Sequence, residues 1–224
     1  MGENLIIFLC LSLLLYFASR FTIGEIFSVI NRFTNQRAII YPFFALIFFP
    51  GTVIHELAHY FVGTMLLIKI REVKIFPEWQ DNHLKLGSVS FEKKDFIRGI
   101  IVGVAPFIIG LLFFLWLSIL NIFPNKNLLM NILFIYLIFT VSTMMFSSQA
   151  DLIELINIIP LIILILLIIY IFNLRVDYFI ANNNWIKEGI IKSLSYINYY
   201  LLFSLIINLI IIILLKSLRR IFHR

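Results

Sequence analysis

Residues 39–68 read IIYPFFALIFFPGTVIHELAHYFVGTMLLI. The stretch exceeds the roughly 20 apolar residues that a helix needs to cross the hydrocarbon core of a bilayer. Yet it holds two histidines and a glutamate, His55, Glu56 and His59. Ionisable groups are costly among lipid tails, so three of them in one apolar block mark a functional site rather than a packing accident.

The rest of the chain has the same apolar character. Its 224 residues are 62% hydrophobic and 13% charged, which is more apolar surface than a soluble domain of this length buries. Apolar blocks at 5–19 (continuing toward 30), 39–68, 97–120, 127–147, 152–172 and 197–215 predict an all-α integral membrane protein with six transmembrane helices in a lipid bilayer. Residues 1–4 carry Glu3 but no Lys or Arg, and no A-x-A site follows, so the first block reads as an anchor rather than a cleaved signal. The single cysteine, Cys10, lies in that block and excludes a disulfide framework. No internal repeat or low-complexity linker divides the chain, and a single domain over 1–224 is expected, with a core at 39–155 and flanking helices at 5–30, 152–172 and 197–215.

A formal charge of +6 raises the possibility of a nucleic-acid partner, but the basic residues sit in short flanks between apolar blocks and not on a soluble module. They report topology instead. With six crossings, the N-terminus, the 69–98 loop and the C-terminus share one side and hold 11 of the 18 Lys and Arg. The positive-inside rule then predicts that both termini are cytoplasmic.

The decisive pattern is His55-Glu56-Leu57-Ala58-His59. Positions i and i+4 return to nearly the same face of a helix, so both imidazoles can bind one metal ion. Glu56, one step around, can reach a water at that ion without being a ligand. Zn²⁺ and a carboxylate so placed are the parts of metal-assisted peptide hydrolysis, with Glu56 as the catalytic base. With four His and eight Glu in the chain, chance would produce this pattern only ~0.003 times, so the motif is specific.

A third protein ligand is expected, because catalytic zinc usually takes three. Asp151, after Ser147-Ser148-Gln149-Ala150, comes within reach if the second and fourth helices run the same way. Its competing role is a surface carboxylate or a helix cap. Glu154 lies one helical turn further, among Leu152, Ile153, Leu155 and Ile156, and suits a carboxylate that orients a ligand imidazole. Gly51, Ala58 and Gly63 keep the second helix narrow, and Gly99-x-x-x-Gly103 permits close helix approach on the third. Pro106 there is expected to kink its helix and leave carbonyls for a neighbour to satisfy.

The 69–96 loop has room for non-helical structure. Val73-Lys74-Ile75-Phe76-Pro77 and Leu84-Lys85-Leu86-Gly87-Ser88-Val89-Ser90-Phe91 flank a polar turn, and the alternation in the second run predicts a strand of a small β-hairpin. A helical peptide bond must be unwound before water can attack it, so this strand is expected to receive substrate by edge pairing, with Gly87, Ser88 and Val89 as contact residues.

Over residues 39–155 these elements resemble the site-2 protease family of intramembrane metalloproteases. The shared features are a membrane-embedded H-E-x-x-H, the glycine-bearing strand Leu86-Gly87-Ser88-Val89-Ser90, the Gly103-Val104-Ala105-Pro106 element in the third span and an aspartate at the fourth. The resemblance implies His55, His59 and Asp151 as zinc ligands, Glu56 as base and a membrane-anchored protein as substrate. The chain departs from the family in Gln149-Ala150-Asp151-Leu152, where L-D-G or N-P-D-G is usual, and in Ile109, where Asn follows the proline by three; these mark a divergent branch.

Competing expectations are a membrane protease of the other H-E-x-x-H type, with Glu154 or a loop Glu as third ligand, an inactive scaffold, and a transporter using His and Glu as a proton relay. Di-iron membrane oxygenases need about eight histidines, whereas two of the four here, His83 and His223, are isolated.

Overall fold

The computed structural model describes residues 2–34, 36–76, 78–80, 83–85, 87–92, 95–146 and 149–221. Side chains are described over these segments except at 37, 38, 41, 78–80, 83–85, 149, 150, 152, 154, 155, 176, 177, 181 and 221. Along the described chain run α1 (Gly2–Phe33), α2 (Arg37–Met65), β1 (Ile70–Lys74), β2 (Glu78–Gln80), β3 (His83–Lys85), β4 (Ser88–Phe91), α3 (Phe96–Ile119), α4 (Leu128–Met144), α5 (Gln149–Ile171), α6 (Val176–Asn182) and α7 (Asn184–Ile221).

Among the described residues, four helices are long and apolar enough to cross a membrane: α1, α2 from Pro42 onward, α3 and α7. Of the other apolar helices, α4 (Leu128–Met144) is shorter, while α5 runs 23 residues with its described apolar stretch at Ile156–Ile171. At 1.5 Å per residue, α4 measures about 25 Å, against a hydrocarbon core of about 30 Å. The apolar helices are consistent with a membrane protein, and the expected count of six crossings is not confirmed.

The direction of the helices sharpens that difference. Asn4 donates to Ser195 Oγ at 3.1 Å, Thr22 donates to Asn208 Oδ1 at 2.8 Å, and Arg219 pairs with Glu25 at 3.4 Å. Residue numbers rise together on both helices, so α1 and α7 run parallel. Six successive crossings would make the first and last antiparallel, because every complete crossing reverses the chain. The parallel run of α1 and α7 differs from that alternation, so six successive crossings are not confirmed. The placement of both termini on one side, which rested on six crossings, does not follow from this fold.

Two apolar clusters hold the helices. Leu15, Phe114, Leu117, Ile138, Tyr200 and Leu201 join α1, α3, α4 and α7, while Ile26, Ile40, Phe44, Phe48, Phe139 and Met144 join α1, α2 and α4. Asn208 adds a buried polar contact to Thr22 and lies 3.5 Å from Thr143, so α7 is tied to both α1 and α4. Interhelical hydrogen bonds of this kind contribute about 0.6 kcal/mol each in a membrane, so they orient helices more than they stabilise them.

The contact that matters most for the site is between α2 and α4, which run parallel. Pro50 has no amide hydrogen to give the Leu46 carbonyl four residues back, and Tyr136 of α4 donates its hydroxyl there at 2.9 Å. One residue on, Gly51 lies against α4 so closely that a side chain would overlap the Thr140 carbonyl and Met144. Small size at position 51 thus lets α4 descend flush against α2 and end near the H-E-x-x-H turn.

The hairpin expected in the 69–96 loop is present. β1 pairs antiparallel with β4, matching Val73 with Val89 and Lys74 with Ser88, and β2 pairs with β3 further out. The single strand expected over 84–91 is instead two, β3 and β4, with Gly87 between them. The hairpin is seated on α2: a Cβ at Gly63 would lie 2.6 Å from Phe91, so the ring of β4 packs directly on the helix backbone.

Candidate metal centre

His55 and His59 lie one turn apart on α2, which places both rings on one face. Their Nε2 atoms are 3.2 Å apart. Asp151, in the first turn of α5, stands across from them, with Oδ2 at 3.2 Å from His55 Nε2 and Oδ1 at 3.3 Å from His59 Nε2. All three residues are buried, and they form a group that could hold a metal ion.

The spacing itself tests the fit. Tetrahedral bonds of about 2.0–2.1 Å to nitrogen and oxygen put neighbouring ligand atoms about 3.3–3.4 Å apart. The two imidazole nitrogens, 3.2 Å apart, lie close to that edge length, and one carboxylate oxygen of Asp151 completes a group whose ligand atoms all lie within 4.8 Å of one another. The chemistry agrees as well, since imidazole pairs and a carboxylate suit zinc, although such a set also accepts other transition metals.

Glu56 is buried at 4% exposure, one step around the helix from both imidazoles. Gly87, at the mouth of the hairpin, sits on its carboxylate: a Cβ there would be 2.6 Å from Glu56 Oε1 and 2.8 Å from its Cγ. Gly87, read from sequence as a substrate contact, is thus placed against Glu56. Ser88 and Val89 follow it on β4 and are partly exposed. In the Gly87→Ala variant the Glu56 carboxylate must move, while the three possible ligands are untouched. We expect Gly87→Ala to take up metal as wild type does, with only the Glu56 carboxylate displaced, measured as metal content side by side; loss of metal uptake would show that the contact reaches the His55, His59 and Asp151 group as well.

His59 Nδ1 lies 2.9 Å from the main-chain carbonyl of Val102 on α3, an orienting partner that sequence inspection did not name because a backbone acceptor has no side-chain signature. His55 Nδ1 is buried and has no hydrogen-bond partner among the described residues. The Glu154 side chain, expected as an orienting group, lies outside the described residues, as do His223 and the His83 side chain. Comparison with known protein families, with curated proteins and with solved structures finds no match to this chain.

Proposed function

We propose that this protein is an intramembrane zinc metalloprotease, of the kind that the site-2 protease family exemplifies, cleaving membrane-anchored protein substrates. The observation that carries this proposal is the convergence of Asp151, from a helix about 90 residues downstream, on His55 and His59, with Glu56 beside them. Bound zinc supplies the Lewis acid that makes water nucleophilic near neutral pH. His55, His59 and Asp151 would hold it. Glu56 accepts the proton of the attacking water and passes it to the leaving amide nitrogen, so that the peptide bond breaks to an amine and a carboxylate. Burial of the carboxylate beneath Gly87 fixes where that proton is taken up.

The hairpin gives the substrate a place to unwind. β4 pairs with β1 along one side, and its other edge has no strand partner among the described residues. An extended segment added along β4, beside Ser88 and Val89, would lead toward Gly87 and so toward Glu56. Main-chain pairing tolerates varied side chains, which suits a protease acting on different anchors. A proton relay or inactive scaffold needs no such open strand beside its carboxylate.

The test is metal removal. The purified chain in liposomes with a membrane-anchored reporter should lose cleavage when a chelator strips its zinc and regain it when zinc returns. Cleavage unaffected by complete zinc removal would overturn the proposal.

A further inference from the structure

A ligand histidine is useful only when its ring is held, and the atom that holds it is usually a hydrogen-bond acceptor at the other nitrogen. For His59 that acceptor is the Val102 carbonyl, 2.9 Å from Nδ1. A carbonyl in mid-helix is normally occupied, since the amide four residues on donates to it. Here the residue four on is Pro106, within α3, which has no amide hydrogen. Val102 is 1% exposed, so its freed carbonyl has no water to turn to and must find a donor in the protein.

We propose that Pro106 is a positioning residue of the metal centre, keeping the Val102 carbonyl open for His59 Nδ1–H. The proton is thereby held on Nδ1, and the Nε2 lone pair points at His55 and Asp151. The same device is seen on α2, where Pro50 frees the Leu46 carbonyl and Tyr136 takes it. There it joins two helices; at Pro106 it aims a ligand. The inference rests on the metal-centre part of the proposed function and is independent of whether the protein is a protease.

The experiment compares wild type, Pro106→Ala and Pro160→Ala, each purified in detergent. Zinc affinity is read by chelator competition and the ligand field by the visible absorption of the Co²⁺ form. Alanine at 106 restores an amide that competes for the Val102 carbonyl, so zinc affinity should fall about ten- to a hundredfold and the Co²⁺ bands should shift. Pro160→Ala, which restores an amide at an exposed proline inside α5, should keep wild-type affinity and spectrum. Wild-type affinity and an unchanged Co²⁺ spectrum in Pro106→Ala overturn the inference while leaving the metal centre standing. Should Pro106→Ala fail to fold, NMR of zinc-loaded wild type decides: a His59 Nδ1 proton coupled across its hydrogen bond to the Val102 carbonyl supports the role, and a proton exchanging freely with solvent overturns it. Wild-type protein that takes up neither zinc nor cobalt overturns the metal-centre reading and this inference with it.

Discussion

Glu56→Gln is expected to retain its zinc and lose about 10²–10⁴-fold in cleavage rate, the range that a positioned general base contributes. The two side chains have nearly the same shape, so the buried space beneath Gly87 stays filled and α2 is undisturbed. What disappears is the capacity to take a proton. His55, His59 and Asp151 are all still present, so the metal should remain. Metal content and reporter cleavage are measured on the same preparation, because only the pair of results is diagnostic. Retained turnover would remove Glu56 from the chemistry. Loss of zinc together with turnover would instead make Glu56 part of the metal site.

Asp151→Ala should lose zinc and activity together. Its carboxylate faces both Nε2 atoms, one oxygen to each, and supplies the negative charge of the set. Without it two imidazoles remain, too few for a catalytic zinc site, and affinity should fall by more than the ten- to a hundredfold typical of an outer orienting group. The two imidazoles it leaves can lose their protons and stay neutral, so no unpaired buried charge remains to unfold the helices. Glu154→Ala is the informative companion, expected to keep the metal with a partial loss of rate. If chelator competition shows zinc retained in Asp151→Ala and lost in Glu154→Ala, the ligand role passes to Glu154, and the protein fits the other H-E-x-x-H type better.

The hairpin shows a boundary that alternation could not locate. Residues 84–91 alternate well enough to indicate a strand, yet Gly87 interrupts the run where the backbone meets the Glu56 carboxylate. That approach requires the absence of a side chain, and it depends on α2, which is distant in sequence. Gly51 is similar. Its small size was legible, but its closeness to the Thr140 carbonyl came only from the pairing of α2 with α4.

Composition and block length were enough to indicate a mostly helical chain suited to a bilayer, because apolar surface in excess of any possible core favours lipid. The H-E-x-x-H pattern was enough to place His55 and His59 on one helical face, because a period of 3.6 residues is local geometry. Neither kind of information carries direction. Hydropathy reads the same for a helix that crosses and one that does not, so the parallel run of α1 and α7 emerged only from contacts such as Thr22 with Asn208. The position of Asp151 had the same origin. Some 92 residues separate it from His59, and its distance from the imidazoles is decided by how closely α4 packs on α2, a property of two surfaces in contact.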